Sequence, residues 1–330
     1  MAENRKILLS GVKPTGRPHI GNYFGAMRQF VDLQNSYQSY YMIADLHALT
    51  SPEVQKNPEM LKDSVFDVAM DYLAIGLDPL KSVIFKQSDI LNHAELTWIF
   101  DCLTTMPYLM RAHAFKDAEA KNKEINVGVF NYPILMATDI LLYNTDVVPV
   151  GQDQKQHVEI ARDTATKFNN TYGETFKLPE SLIVKDVAVV PGIDGQKMSK
   201  SYGNTIPLFA SEEEIDRAVM GIVTDSKSVE ESKDPEKDNI YNIYKLFASA
   251  EEQASLAQKY KNGGTSYKEA KEMLKEKLKQ FTGPFREKRM TFENNKSKII
   301  EILNEGGNKA RKIAEEKMDE IREKVGLKLY

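Results

Sequence analysis

Short runs of β-branched and aromatic residues alternate with longer amphipathic stretches through the first half of the chain. The clearest apolar runs cover residues 7–10, 40–44 and 83–86, and runs of this length and composition predict strands. Between the first two runs, apolar residues recur at steps of three and four, which predicts a helix with one buried face. Strands that alternate with helices predict a parallel sheet covered by helices on both faces.

Two further strands are predicted at residues 147–150 and 187–190, with a helix over residues 154–168 between them. Another helix is predicted to begin at Asn57-Pro58, because Asn is a favourable N-cap and Pro fits the first helical position. The second half of the sheet is therefore expected to follow the same strand and helix alternation as the first.

Two regions depart from this alternation. Residues 94–144 have helical patterns without an obvious strand, which predicts a helical insertion, and beyond residue 211 the β-rich runs stop. The sequence therefore predicts an α/β fold over residues 1–205, with a Rossmann-like doubly wound parallel sheet that contains the insertion. A separate all-α domain is predicted over residues 206–330.

Composition is that of a globular protein, with 330 residues, 42% of them hydrophobic and 28% charged. No apolar run approaches the roughly 20 residues that span a bilayer. The first residues lack the long apolar stretch of a secretory signal. We therefore expect a cytoplasmic protein without a membrane partner.

Cysteine and histidine usage limits the possible metal chemistry. Cys102 is the single cysteine, which rules out an intramolecular disulfide and a cysteine-based zinc or iron–sulfur site within one chain. Its neighbours Phe100 and Leu103 are apolar, so it is expected to be a small buried residue. The five histidines show no metal-ligand spacing, and no protein-held metal is expected.

Charge is distributed unevenly along the chain. The formal net charge is −4, but residues 261–330 carry +6, which leaves −10 on residues 1–260. Basic charge concentrated in one region is suited to contacting phosphates. An ordinary solvated helical surface explains the same distribution.

Residues 197–201 read Lys-Met-Ser-Lys-Ser and follow the turn formers Pro-Gly-Ile-Asp-Gly. Such a context predicts an irregular loop that can move. Two lysines three residues apart on a loop suit a polyphosphate, whereas the alternative is an ordinary surface loop. The segment is therefore a candidate for binding a pyrophosphate leaving group.

A second phosphate-type element lies near the N-terminus. Gly11 ends a predicted strand, Pro14 and Gly16 shape a turn, and Gly21-Asn22 open an amphipathic helix. Free backbone N–H groups at a helix N-terminus favour anions. The neutral imidazole of His19 can donate a hydrogen bond to a phosphate oxygen. Together these features predict an ATP site without a Walker loop.

The segment His19-Ile20-Gly21-Asn22 and the lysine segment resemble the paired motifs of the class I aminoacyl-tRNA synthetases. Asn22 stands where the first motif usually has a second His, a replacement common in the tryptophanyl and tyrosyl branch. Residues 45–50, 135–143 and 148–154 are similar to segments of the tryptophanyl members. The resemblance covers nearly the full length of the chain.

This resemblance implies that the chain activates L-tryptophan with ATP and then transfers the tryptophanyl group to tRNA(Trp). ATP is a substrate in that reaction, and Mg²⁺ is carried by ATP and pyrophosphate. The single cysteine excludes the iron–sulfur cluster of some relatives. The resemblance also implies a homodimer, with the insertion over about residues 94–144 at its interface, and an anticodon-binding role for residues 206–330.

The resemblance also implies the roles of individual residues. Catalysis is assigned to Lys197, Lys200 and His19. Asp153 is expected to hold the ribose hydroxyls, and the backbone near Val189 to meet the adenine. The residues implied to contact ATP are Lys13, Pro14, Thr15, Gly21, Asn22, Gly151, Gln152, Asp153, Val189, Lys197, Met198, Ser199, Lys200 and Ser201. Those implied to bind tryptophan are Gly11, His47, Tyr132, Met136, Asp139 and Gln154.

Asp139 is the side chain that most directly indicates the amino acid. It follows Leu135 by four residues and Met136 by three, on a helix face predicted to be buried. A buried carboxylate needs a partner, and the indole N–H of tryptophan is only a donor. A phenylalanine in the same slot would leave the carboxylate unpaired, which predicts discrimination of roughly 10⁴-fold or more. The alternative is a structural role, in which the carboxylate caps a helix or forms an ion pair inside the fold.

Two departures from the family pattern suggest a distinct subgroup. Lys13 stands where many bacterial members have Gln, which adds a cation beside the substrate carboxylate or the α-phosphate. The lysine segment continues into Tyr202-Gly203-Asn204 rather than Asp-Pro-Asn.

Three alternatives remain open from the sequence. A tyrosyl-tRNA synthetase is the nearest, although its loop usually reads Lys-Phe-Gly-Lys. A small-substrate nucleotidyltransferase of the same superfamily rarely carries so long a helical appendage. A catalytically silent paralogue that binds tRNA or amino acid is the third, and the retained lysines, Asp139 and Asp153 argue against it.

Overall fold

The computed structural model describes residues 5–120, 125–151, 155–183 and 190–329. Within these ranges the sheet has five strands in the order β3-β2-β1-β4-β5, and every neighbouring pair is parallel. The chain therefore winds outwards from β1 in one direction and then in the other, which confirms the predicted doubly wound sheet. The strands are β1 (Ile7–Val12), β2 (Gln38–Ile43), β3 (Ser82–Lys86), β4 (Val147–Val150) and β5 (Glu180–Ile183).

Burial explains which strands were predictable. All but the first residue of β2 are buried, because both faces of a parallel sheet are covered by helices. The edge strand β5 has no buried residue, and its sequence Glu-Ser-Leu-Ile lacks a strand signal. It was missed for that reason. The strand predicted at residues 187–190 lies outside the described residues except for Val190.

Helices flank the strands. Asn57 caps the helix that starts at Pro58, because its side chain accepts a hydrogen bond from the N–H of Met60, as predicted. A π-helical turn over Tyr23–Met27 separates the first two helices. The helices are α1 (Ile20–Asn22), α2 (Arg28–Leu33), α3 (Asp45–Ala48), α4 (Pro52–Lys56), α5 (Pro58–Ala74), α6 (Asn92–Leu103), α7 (Met106–Leu109), α8 (His113–Ala120), α9 (Val127–Leu141), α10 (Lys155–Tyr172), α11 (Glu212–Met220), α12 (Asn239–Tyr244), α13 (Ala250–Asn262), α14 (Tyr267–Glu293) and α15 (Lys296–Lys324).

Between β3 and β4, the described residues contain α6 to α9 and no strand, which confirms the helical insertion. After residue 211 the elements are helical, as predicted. In the part of the chain that the structure describes, no helix combines the length and the apolar character needed to cross a membrane.

The chain packs as two compact units. The first contains Met1–Gly16, Gln29–Lys185 and Asn295–Tyr330, and the second contains Arg17–Arg28 and Asp186–Asn294. These units do not follow the boundary at residue 205. The division into a catalytic and an anticodon-binding domain is a functional statement, and it stays a prediction.

In the first unit, the C-terminal helix α15 packs on the edge strand β3. A methyl group added at Gly306 would overlap the backbone carbonyl of Ile84, so the helix approaches the strand as closely as a glycine allows. The guanidinium of Arg322 also pairs with Glu95 at 2.6 Å. Helical composition alone could not indicate that α15 covers the sheet.

In the second unit, an aromatic cluster holds the segment after the His-Ile-Gly-Asn motif. The ring of Tyr23 lies 5.3 Å from Phe281 and 5.1 Å from Phe285, and Phe24 stacks on Phe281 at 5.6 Å. Burial of aromatic rings contributes most of the packing energy of such clusters. The start of this helical segment is therefore fixed by α14.

The expectation for Cys102 was wrong, because its side chain is exposed. Helix α6 buries Leu96, Ile99 and Phe100. Cys102 follows Trp98 by one turn, and that face of the helix is exposed. Apolar neighbours in sequence are a poor guide to burial when the helix face is not identified.

Replacing Gly306 by Ala is expected to lower the free energy of unfolding by about 1–3 kcal/mol, because the new methyl group overlaps β3. Gly307→Ala is a matched control, since a methyl group there meets only ordinary contacts with Asp89 at 3.8 Å. Urea unfolding of both variants checks this. Equal effects of the two substitutions would contradict the close approach of α15 to β3.

Candidate active site

Asp139 lies on the last turn of α9 and only 2% of its surface is exposed. Its Oδ1 accepts a hydrogen bond from Gln87 Nε2 at 2.7 Å, and its Oδ2 lies 2.8 Å from His47 Nε2. His93 Nδ1 is 2.7 Å from Oδ1, in ion-pair contact although outside ideal hydrogen-bond angles. The predicted need of this buried carboxylate for partners is met by three side chains of the same unit.

The carboxyl group of Asp139 is ionised at neutral pH. Burial acts to raise its pKa, but the contacts with His47 and His93 outweigh burial and lower the pKa to about 2. Each carboxylate oxygen has two lone pairs, and Oδ1 faces both Gln87 and His93. Oδ2 has one partner among the described residues, His47. Oδ2 can therefore accept one more hydrogen bond.

His93 is held in turn by Tyr143. The two side chains are fully buried, and His93 Nε2 lies 2.8 Å from the Tyr143 hydroxyl. Burial raises the pKa of Tyr143 well above its usual value, so the phenol keeps its proton. The Tyr143 hydroxyl therefore helps to hold the imidazole of His93 beside Asp139.

Gln87 joins the ends of two strands beneath Asp139. It follows β3 directly and is fully buried. Its Oε1 accepts from the N–H of Leu46 in α3 at 3.2 Å, while its Nε2 donates to Asp139. Gln87, His93 and Tyr143 were all missed by the sequence analysis. Only Gln87 had a signal, its position at the carboxyl end of a parallel strand.

The other residues predicted to bind tryptophan are placed as follows. The ring of Tyr132 lies 6.1 Å from His47 and 5.8 Å from His157. Met136, partly buried, packs against the core cluster that includes Ile140. The structure therefore brings Asp139, His47 and Tyr132 together in one unit.

Gly11, also predicted to bind tryptophan, lies near the carboxyl end of β1. A methyl group there would meet the side chain of Met42 at 3.2 Å, which favours glycine. Gln154 lies outside the described residues.

Lys13 follows β1 and is half-buried. Its Nζ donates to Thr50 Oγ1 at 3.1 Å, and Thr50 Oγ1 donates to the carbonyl of His47 at 2.8 Å. Burial lowers the pKa of Lys13. Among the described residues no carboxylate pairs with it. The side chain of Thr50 therefore connects the Lys13 ammonium group to the backbone of His47.

In the second unit, the two sequence motifs lie side by side. The N–H of Ile20 donates to the carbonyl of Ile206 at 3.0 Å, and the N–H of Leu208 donates to the carbonyl of Pro18 at 2.9 Å. A methyl group at Gly21 would lie 2.9 Å from His19 Nδ1 and 3.4 Å from Met198 Cβ. Glycine at position 21 therefore leaves room for the His19 imidazole, and Met198 of the lysine segment lies beside it.

His19 is almost completely buried, at 7% exposure. Burial, and then the positive charge of Lys200, lower its pKa to about 4, so the imidazole is neutral at neutral pH. Its Nδ1 has no hydrogen-bond partner in the described part of the chain. The side chain of Asn22 accepts from the backbone N–H of His19 at 3.0 Å and shapes the helix start.

The lysine segment is irregular, as predicted. Met198 is buried and its N–H donates to the carbonyl of Val190 at 2.9 Å. A short 3-10 turn covers Lys200–Tyr202, and Ser199 caps it by accepting from the N–H of Ser201 at 3.3 Å. The side chains of Lys197 and Lys200 are exposed. The mobility of this loop stays a prediction.

The remaining residues predicted to contact ATP fall into two groups. Pro14 and Thr15 lie in the turn after β1, and Gly151 directly follows β4, all in the first unit. Gln152, Asp153 and Val189 lie outside the described residues.

The chain belongs to the tryptophan and tyrosine family of class I tRNA synthetases, because the family model "tRNA synthetases class I (W and Y)" matches residues 1–283. A protein of Fusobacterium nucleatum named tryptophan–tRNA ligase is 52% identical over 320 residues, which cover 97% of both chains. One from Rhodopirellula baltica with the same name is 47% identical, over 97% of this chain and 99% of the relative.

A solved structure supports the same assignment. The chain is similar to the tryptophanyl-tRNA synthetase of Campylobacter jejuni in complex with ADP and tryptophan, with a TM-score of 0.93 and 47% identity. The similarity covers 97% of this chain and 100% of that one. The resemblance inferred from the motifs is thereby confirmed.

The pairing of Asp139 predicts a distinct acid response. Its folded-state pKa lies below the usual value, so the stabilisation is complete above about pH 4 and is lost as the pH falls through about 2. Between these values, wild-type protein is expected to lose about 2 kcal/mol more unfolding free energy than Asp139→Asn. Urea unfolding at several pH values measures the difference. Parallel pH dependences of the two proteins would show that the carboxylate is not paired as described.

Proposed function

We propose that this chain is a tryptophan–tRNA ligase. It activates L-tryptophan with ATP to tryptophanyl-adenylate and pyrophosphate, and then transfers the tryptophanyl group to tRNA(Trp). Family membership and relatives of 47–52% identity named tryptophan–tRNA ligase support the reaction. The observation that carries the choice of amino acid is the ionised, buried carboxylate of Asp139, with one acceptor position open on Oδ2.

Indole recognition follows from the hydrogen-bond inventory around this carboxylate. The indole N–H is a donor without acceptor capacity, so a single open acceptor satisfies it. A phenol hydroxyl also carries lone pairs, and the nearby donors of Gln87 and His47 are directed at Asp139. A tyrosine side chain would leave those lone pairs without a donor from these groups. This argues against the tyrosyl alternative.

The activation step needs no protein nucleophile. A carboxylate oxygen of tryptophan attacks the α-phosphorus of ATP, and the bond from that phosphorus to the bridging oxygen of pyrophosphate breaks. Lys197 and Lys200, with Mg²⁺ carried on the pyrophosphate, neutralise the charge of the leaving group. The neutral His19 donates a hydrogen bond to a phosphate oxygen. The protein thus contributes positioning and charge stabilisation.

The remaining assignments belong to the same proposal. Tyr132 and Gln154 bind the α-amino group of tryptophan, while Gly11 and Met136 line its slot. Lys13, held by Thr50, pairs with the substrate carboxylate or the α-phosphate. ATP is further contacted by Pro14, Thr15, Gly21, Asn22, Gly151, Gln152, Asp153, Val189, Met198, Ser199 and Ser201. Residues 206–330 provide the anticodon contacts, and tRNA charging places the protein in the cytoplasm.

A homodimer is supported by an exposed apolar groove in the first unit. Leu49, Trp98 and Val127 line this groove of about 620 Å³, and Trp98 and Val127 are 70% and 79% exposed. Trp98 and Val127 belong to the helical insertion. Monomeric proteins rarely leave large apolar side chains grouped on the surface. We assign this groove to the subunit interface.

The function is tested with ATP–pyrophosphate exchange assays on tryptophan, tyrosine and phenylalanine. Wild-type protein is expected to exchange with tryptophan alone. Asp139→Ala is expected to lower kcat/KM for tryptophan by about 100-fold or more and to abolish the preference over phenylalanine, because the indole N–H loses its acceptor. If Asp139→Ala kept the preference for tryptophan over phenylalanine, the role of Asp139 would be structural. Exchange with tyrosine in wild type would establish the tyrosyl alternative.

The subunit interface is tested by sedimentation velocity. Trp98→Glu places a charge in the apolar groove and is expected to convert the dimer into monomers. Leu80→Glu is the control, because Leu80 is 91% exposed and does not line the groove. Dissociation by both variants, or by neither, would contradict the assignment of this face.

A further inference from the structure

One buried side chain closes the lysine loop. Asn204 is 2% exposed, and its Oδ1 accepts the N–H of Ser199 at 2.8 Å. Its Nδ2 donates to Asp194 Oδ1 at 2.7 Å and to the carbonyl of Lys197 at 3.2 Å. The amide therefore binds the backbone on both sides of Met198 and the acidic turn before it.

The surrounding loop is built to fit this amide. The carbonyl of Asn204 accepts from the N–H of Ile193 at 3.0 Å. Asp194 Oδ1 also accepts from the N–H of Gln196 at 3.0 Å, which holds the carboxylate in place. A methyl group at Gly192 would overlap the Asn204 side chain, so the turn packs directly on it. The backbone of the turn is therefore in close contact with the amide.

Few other side chains can replace this set of bonds. The position requires one acceptor and two donated hydrogen bonds from a single planar group, which an amide of this length provides. An aspartate would keep the acceptor for Ser199 but would face Asp194 and the Lys197 carbonyl with a negative charge. A fully satisfied buried polar group specifies one conformation of its surroundings.

We propose that Asn204 is a positioning residue for adenylate formation. It fixes the backbone at Lys197 and Ser199, and it thereby sets the spacing of the Lys197 and Lys200 ammonium groups that receive the pyrophosphate. Both side chains are exposed, and the backbone sets the point from which each extends. Catalysis by charge stabilisation requires such pre-organisation. This inference rests on the proposed function.

The first test compares Asn204→Ala with Asn169→Ala. Asn169 is a matched control because it closes a loop of the first unit in the same way. Its Oδ1 accepts the N–H groups of Thr175 and Phe176, and its Nδ2 donates to the Phe176 carbonyl. The rate of tryptophan-dependent exchange is measured per active site, with active sites counted by the burst of adenylate formation. Because the rate is divided by the number of active sites, a smaller amount of folded protein does not lower the measured value.

Asn204→Ala is expected to lower kcat per active site by about 100-fold and to leave KM for tryptophan within about twofold. Asn169→Ala is expected to keep kcat per site within about twofold, even if its melting temperature falls. Near-wild-type kcat per site in Asn204→Ala would overturn the proposal.

The second test uses the contact with Asp194. Asn204→Asp places two carboxylates in contact, and one of them must take up a proton for the loop to close. The rate relative to wild type is therefore expected to rise as the pH falls. Adding Asp194→Asn is expected to restore part of the rate at neutral pH. A loss that neither change relieves would overturn the proposal, whereas absence of exchange in wild type would refute the proposed function itself.

Discussion

The first unit is organised around one constraint, a carboxylate that must remain charged where almost no water reaches it. Removing one partner of a buried charge typically costs about 3–5 kcal/mol, so the donors around Asp139 cannot be lost without a large penalty. They come from α3, from the turn after β3 and from α6, while Asp139 itself lies on α9. These four segments are therefore held together by the group to which we assign indole recognition.

The second unit contains the lysines to which we assign pyrophosphate binding. Lys197 and Lys200 are exposed on an irregular loop, beside a histidine that burial keeps neutral. Backbone hydrogen bonds join residues 18–20 to residues 206–208, shortly after the lysine segment, and Met198 lies beside Gly21. A neutral imidazole can lie next to Lys200 without the repulsion that a second cation would cause.

The central strands and the motif residues were predictable because their signals are local. Residues such as those of β2, buried on both faces, read as continuous apolar runs, and Asn57 and Pro58 are local helix signals. The short edge strand β5, the exposure of Cys102 and the packing of α15 on β3 depend on long-range contacts that leave little trace in the sequence.

The candidate site shows the same division. Asp139, His47, His19 and the lysines stand in recognisable motifs, and the burial of Asp139 could be predicted from its helix face. His93 and Tyr143 join the site through side-chain contacts between elements that are distant in sequence. Their role becomes visible only when the helices are packed. Asn204 belongs to this second group, because its bonds close a loop that the sequence shows only as a set of turn formers.

Recognition of the indole N–H by Asp139 can be tested directly with β-(3-benzothienyl)alanine. In this tryptophan analogue, sulfur replaces the indole N–H. It has nearly the shape of tryptophan but no donor for the open position on Asp139. If Asp139 accepts the indole N–H, the affinity of this analogue for wild-type protein, measured by calorimetry, is about 100-fold or more weaker than that of tryptophan. Equal affinities would show that the carboxylate of Asp139 does not read the indole N–H.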